Sequence, residues 1–396
     1  MFRPARLFTL GSIFALMNTP AKGDLVETSS PPLTAKVPMP SLSSVPADQP
    51  LAEILSEVGI CKQPQRYIGW PSIISAENGD LVVVFSGDRD WHVCPWGKIF
   101  LTRSSDGGKT WSEPEVVVDT PLDDRDAGLV RLSNGDLLLS FNSSLAFDNS
   151  KVERYQKYQE HAATLTPEIR EKWKGMWNRV SKDNGRTWGP SFKTPTGTPH
   201  GPTSMKNGKI IYVRPSVFTS ENEGETWSEI AQIERNPTEW KSRYAFLSEQ
   251  HAVECADGTL VALSRYASKG GNSDIELRQI ESSDEGKTWT QPRKTGMEGY
   301  PAHLLRLKND WLLAVYGHRV PPLGQRASIS KDNGKTWLVD EEIILSNAVP
   351  QGAGDLGYPS SAQLPDGSIW TVYYQVEKTS DGEFPSLMAT HWKLKP

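Results

Sequence analysis

Histidine, arginine, tyrosine and carboxylate side chains gather in short segments that follow apolar, strand-like runs. One such segment is Asp88-Arg89-Asp90-Trp91-His92 with Cys94 and Trp96, and another is Asp123-Asp124-Arg125-Asp126. His200, Arg214, Glu249, His251, Arg265 and Tyr266 come next, followed by Tyr300, His303, His318, Arg319 and Arg326, and finally by Tyr358, Tyr374 and Gln375. Five of the seven histidines are in this set. Carboxylates, imidazoles and phenols held together can move protons. Arginines hold carboxylates through paired, charge-assisted hydrogen bonds. The histidines lack the helical or two-residue spacing of a metal site, and the three cysteines lack zinc-type spacing, so no metal or other cofactor is expected.

The chain has 396 residues, with 43 Lys+Arg against 48 Asp+Glu, a net charge of −5. That balance argues against a protein that tracks nucleic-acid phosphates. Fourteen Trp and 32 Gly point instead to turn-rich β structure. Residues 1–22 read as a secretory signal: Arg3 and Arg6, the apolar run Leu7–Met17, then small residues around Thr19–Ala21. That run is too short to span a bilayer, and no later one reaches the necessary length of about 20 residues. A secreted or periplasmic location is expected, with no transmembrane segment. Residues 23–50, rich in Pro and Ser, read as an extended linker.

Two repeats organise the remainder, residues 51–396. The pattern Ser, any, Asp/Asn, any, Gly, any, Thr, Trp occurs at Ser104–Trp111, Ser181–Trp188, Ser220–Trp227, Ser282–Trp289 and Ser330–Trp337. Its Ser and Asp can bind nearby backbone N–H groups, its Gly permits a positive φ, and its Trp can pack between sheets. This is the Asp-box, or bacterial neuraminidase repeat, and through it the chain resembles the sialidase superfamily of β-propellers. The second repeat is a hairpin signal around Asn78-Gly79, Asn134-Gly135, Asn207-Gly208, Asp257-Gly258, Asn309-Asp310 and Asp366-Gly367. Six hairpins, five of them followed by an Asp-box, predict an all-β fold: a six-bladed β-propeller of four-stranded blades. The sixth blade lacks its box, and a segment near Ile54–Ile60 is expected to return from the N-terminus as its outer strand.

Strand direction alternates within a blade, so the connections alternate between the two faces. The first hairpin turns and the Asp-boxes share one face. The loops between second and third strands share the other with the crossings between blades, and this face receives the chemically loaded segments. It also receives a long insertion in the second blade, Ser144–Asn178. There Thr166-Pro167-Glu168 reads as a helix start and Gly175 as a stop. Trp173 and Trp177, four apart, are expected to share a helix face.

The resemblance implies a glycan substrate and a set of roles. Tyr358, in Gly357-Tyr358-Pro359-Ser360-Ser361, stands where the family places its nucleophile. Glu249, in Ser248-Glu249-Gln250-His251, stands in the activating position. Arg265 and Arg319 match the second and third arginines of a carboxylate clamp, with Arg326 an alternative third. The first arginine has no direct match in Tyr67-Ile68-Gly69-Trp70-Pro71, leaving Arg66 or Arg125 as substitutes. The acid/base aspartate of the family maps nearest His92, with Asp90 beside it. Trp70, Trp91 and Trp96 are expected to stack on sugar faces. A glycosidase acting on a terminal acidic sugar is the leading expectation; a uronate lyase using His and Tyr, or a non-catalytic glycan-binding propeller, are the alternatives. The parity of the strands further places Cys61 and Cys94 on one face, which makes a Cys61–Cys94 bridge sterically conceivable.

Overall fold

The computed structural model describes residues 45–233, 246–267, 275–347, 354–379 and 382–396. The expected signal, 1–22, and residues 23–44 of the expected linker lie outside them. Gln49, near that linker's end, is buried, and its amide pairs with both backbone groups of Ile344 at 2.8 Å.

Six four-stranded antiparallel sheets make up the fold. Blade one runs outward through Tyr67–Ser75, Leu81–Arg89, Lys98–Ser104 and Glu115–Val118. The inner strands of the next five blades are Asp123–Arg131, Thr203–Ser204, Phe246–Glu254, Ala302–Arg306 and Leu356–Gln363. Each inner strand touches the inner strands of both neighbours, the last touching the first, so the sheets close a ring. Ala52–Cys61 is the outer strand of blade six, antiparallel to Gly382–Leu394 with Ala52 opposite Leu394. The ring is therefore fastened by residues from both ends of the propeller, as the repeat count predicts. Among the described residues, no helix is long and apolar enough to cross a membrane.

Apolar residues at alternate strand positions fill the wedges between blades. Ile73, Leu81 and Val83 of blade one meet Val372 and Ala389 of blade six, while Val82, Val84 and Leu101 meet Leu129, Leu137 and Leu139 of blade two. Asp-box chemistry pins the outer turns. Ser104 Oγ donates to Asp106 and accepts from the Gly108 N–H, both at 2.8 Å, and Asp106 accepts from the Thr110 hydroxyl at 2.6 Å. The Thr110 hydroxyl and N–H hold Asp106 down at about 2, and Thr288 does the same for Asp284.

The blade-two insertion is helical in pieces. Thr166 caps the helix Pro167–Trp173 by accepting from the Ile169 N–H. Trp177 lies beyond it, in the strand Gly175–Ser181, so the two tryptophans do not share a helix face. They meet across the junction: Trp177 Nε1 donates to the Trp173 carbonyl at 2.8 Å. All three cysteines are free and buried, and the conceived Cys61–Cys94 bridge is not formed. Cys61 belongs to the core between blades one and six. Cys94 packs with Leu122, Phe147 and Tyr158 beneath the insertion.

Candidate active site

One local distortion builds the site. In blades one, two, four and six the inner strand places two residues against one of its neighbour, a β-bulge, between Gly69 and Ser72, Arg125 and Gly128, Ser248 and His251, and Gly357 and Ser360. The first of the two bulged residues is left-handed in each: Trp70 (φ 54°), Asp126 (56°), Glu249 (49°) and Tyr358 (48°). Each precedes the positive-φ glycine of its hairpin turn (Gly79, Gly135, Gly258, Gly367) by the same nine residues. Such a backbone costs a non-glycine residue about 1–3 kcal/mol, and it re-aims the side chain of the innermost strand. The strain therefore recurs by design at one place in the repeat.

Three of these four residues meet in one cavity of about 420 Å³, with Tyr358, Glu249 and Asp126 in its lining. Tyr358 donates its phenol proton to Glu249 Oε1 at 2.5 Å, and the other oxygen of Glu249 pairs with Arg265 at 2.9 Å. Burial, and then the neighbouring Glu249 charge, hold the Tyr358 phenol well above its usual range, so it rests protonated. Arg319 and Arg214 line the same cavity, and neither has a carboxylate partner among the described residues. The Arg319 guanidinium lies 5.0 Å from the Tyr300 ring centroid, over which Arg265 also sits at 4.0 Å. Its Nε is buried without a hydrogen bond.

The opposite wall is zwitterionic. Arg125 pairs with Asp126 at 3.0 Å and sits 4.5 Å from the centroid of the Trp70 ring. Asp355 accepts from Tyr374 at 2.6 Å and from Tyr67 at 2.9 Å. His92 packs edge-on to Trp70 at 4.9 Å. Burial, then the Arg125 charge, lower His92 to about 4, against the opposing pull of Asp355 and Asp126. Its imidazole is neutral near pH 7.

The expected site residues thus divide. Tyr358, Glu249, Arg265, Arg319, Arg125 and His92 come together. Asp90 does not line this cavity; it pairs with Arg66 and Lys157. Arg66 spends its charge on Asp88 and Asp90, so the blade-two arginine, Arg125, enters the cavity instead. Arg326 is buried beside Glu342 and bonds the carbonyls of Pro322 and Ser346, away from the cavity. Trp70 is fully buried and supports Arg125 and His92 rather than offering a face to a sugar. Asp355 is not among the residues the sequence offers, whereas Asp126 stands in the charged segment Asp123–Asp126 but without an assigned role. For Asp126 the signal was available, in its constant distance from the turn glycine.

Beneath Tyr358, three buried histidines from successive blades line up. The His251 and His303 rings stack at 4.5 Å, and His200 meets them edge-on at 5.7 and 5.3 Å. His251 Nδ1 accepts from the Leu304 N–H at 3.0 Å, which leaves the proton of its neutral ring on Nε2.

Comparison with known proteins agrees with this architecture. The model of the BNR repeat-like domain family matches residues 170–371, just over half of the chain. No curated protein sequence matches. Among solved structures, a protein of unknown function from Dyadobacter fermentans is 24% identical, with a TM-score of 0.68, over 87% of this chain and all of that one. The NanB sialidase of Streptococcus pneumoniae is 13% identical with a TM-score of 0.61, over 88% of this chain and 71% of the sialidase. An α-L-arabinanase from Penicillium chrysogenum is 15% identical with a TM-score of 0.57, over 85% and 98%. At these identities the likeness is one of fold. With its five Asp-boxes, six blades and matching family model, this chain belongs to the BNR repeat-like domain family and is a sialidase-like β-propeller.

Proposed function

We propose that the protein is an exported glycoside hydrolase that removes a terminal acidic sugar from a glycan. One observation carries this reading: a phenol hydrogen-bonded at 2.5 Å to a carboxylate faces two arginines that have no carboxylate partner among the described residues. Arg319 and Arg214 supply the positive charge that an acidic sugar brings to balance. Arg265 shares itself between Glu249 and the ligand. A phenol is a suitable nucleophile here, because it meets an anionic substrate without the repulsion a carboxylate would meet.

In the first step Tyr358 Oη bonds to the anomeric carbon as its proton passes to Glu249. The glycosidic C–O bond breaks, and the leaving oxygen takes a proton from His92. This half-buried, neutral imidazole acquires that proton when the substrate's negative charge enters and raises its affinity, adding to Asp126 and Asp355. Water then attacks the glycosyl-tyrosine, its proton returns to His92, and Glu249 gives the phenol its proton back. Two displacements retain the anomeric configuration. Export rests on the character of residues 1–22.

The test is a screen of sialosides and uronate-capped oligosaccharides, following reducing ends and ultraviolet absorbance together. New reducing ends with no rise in absorbance are expected. A rise in absorbance, the mark of a conjugated double bond left by elimination, overturns hydrolysis in favour of a lyase.

A further inference from the structure

A second cavity, of about 380 Å³, opens on the same face between the blade-one loop and the blade-two insertion. Asp90, Trp91 and Val93 line it from one side, and Arg154, Tyr155, Lys157 and Tyr158 from the other. We propose that it is a binding subsite for the next sugars of an acidic oligosaccharide whose terminal residue fills the central cavity. This rests on the glycosidase reading above.

Position is the first argument. Trp91 lines the second cavity and His92, the next residue, lines the first. Tyr67 bridges them, its ring 6.4 Å from Trp91 and 6.1 Å from His92. A chain leaving the central cavity past His92 meets Trp91 within one or two sugar rings.

Trp91 itself is the second. It is 52% exposed, the most exposed of the large apolar side chains among the described residues. Yet its loop is not loose. Arg89, fully buried, pairs with Asp123 at 2.7 Å and donates to the His92 carbonyl at 2.8 Å, while the Cys94 N–H donates to Asp123. Val93 and Cys94 point into the core beneath. An indole held outward by a locked loop has no folding role to explain it; it is a preformed platform for the apolar face of a ring.

Charge is the third. Arg154 and Lys157 stand against Asp90 alone, and Asp90 already shares its charge with Arg66. The surplus is positive, so the sugar that fits carries a carboxylate or a sulfate.

The experiment uses the full chain, each variant also made in the Tyr358→Phe background so that no probe is cleaved, and titration calorimetry with four probes: N-acetylneuraminic acid, 3′-sialyllactose, a sulfated 3′-sialyllactose and a trisaccharide whose terminal and second sugars are both uronates. Trp91→Ala is expected to weaken the oligosaccharide that binds best about tenfold, near the upper end of the pairwise worth of an aromatic contact. Binding of the free acid stays within twofold, and Trp91→Phe restores most of the loss. Lys157→Ala should reduce the preference for the sulfated over the plain trisaccharide if sulfate is the acidic group, and weaken the uronate trisaccharide if it is carboxylate. Unchanged oligosaccharide binding in Trp91→Ala, with the central site still binding its sugar, overturns the subsite alone. Equal weakening of free acid and oligosaccharide also overturns it. If wild-type protein binds none of the four, the subsite and the glycosidase reading fall together.

Discussion

Glu249 and Tyr358 occupy the same bulge on the inner strands of blades four and six, and a 2.5 Å hydrogen bond joins them across the ring. Two copies of one structural repeat thus supply a base and a phenol. Asp126 is a third copy, on the wall facing them. The left-handed backbone at each position turns a side chain of the innermost strand into the cavity. The propeller's repetition therefore sets the geometry, and residue choice at one repeat position sets the chemistry.

Removing only the reacting oxygen isolates the nucleophile. Tyr358→Phe is expected to lower turnover by about a thousandfold or more while changing ligand affinity by less than about tenfold, or ~1.4 kcal/mol. Steady-state rates and a direct binding measurement on the same acidic sugar check this. Near-normal rates in the Phe variant would take Tyr358 out of the mechanism.

Backbone strain at the bulge is separable from function. Glu249→Ala and Glu249→Gly both delete the carboxylate, but only glycine adopts φ 49° at no steric cost. The glycine variant should be the more stable by about 1 kcal/mol, the left-handed penalty less the extra entropy of an unfolded glycine. Urea unfolding of the two variants measures the difference. Equal stabilities would mean that the position is not strained.

Much of this was legible in the sequence, and the reason is periodicity. Asp-box turns and hairpin glycines mark strand boundaries directly, and once the blades are counted, parity alone assigns Tyr358, Glu249, Arg265 and Arg319 to one face. What failed was assignment by proximity in sequence. Asp90 stands two residues from His92, yet the loop turns between them and hands Asp90 to Arg66 and Lys157. Trp70 sits at the bulge like Tyr358, but Arg125 and His92 cover its ring. Which charges pair with one another is a property of packing, and no repeat encodes it. Asp355 illustrates this: it follows residues with no strand pattern and earns its place only through the phenols of Tyr67 and Tyr374.

Four neutral histidines, three buried (His200, His251 and His303) and one half-buried (His92), make stability sensitive to acid. Burial lowers His251 to about 3 and His92 to about 4, and drives His200 and His303 well below their ordinary 6.5. With folded values depressed, the unfolded chain binds more protons between pH 6.5 and about 4. The stability these rings contribute is complete above pH 6.5 and is lost as pH falls toward their folded values. Each ring adds up to about 1.4 kcal/mol per pH unit in that window. Denaturant midpoints should fall steeply between pH 6.5 and 5, and His200→Asn should flatten the slope. A midpoint independent of pH across this range would contradict neutral burial of the rings.

The segment that leads into blade three leaves no room for a methyl group at Gly128 of the blade-two inner strand. A Cβ there would lie 2.1 Å from the Gly201 nitrogen and 2.5 Å from its Cα, both backbone atoms of that segment. No rotamer change relieves a clash with backbone, so Gly128 and that segment must move apart. Gly128→Ala should cost about 3 kcal/mol or more, visible as a lowered unfolding midpoint or as failure to accumulate. Gly354→Ala is the control, because a methyl there meets nothing within 4 Å. Its stability should stay within about 0.5 kcal/mol of the parent. A Gly128→Ala protein as stable as the control would mean that Gly128 and the His200-Gly201 backbone do not approach this closely in solution.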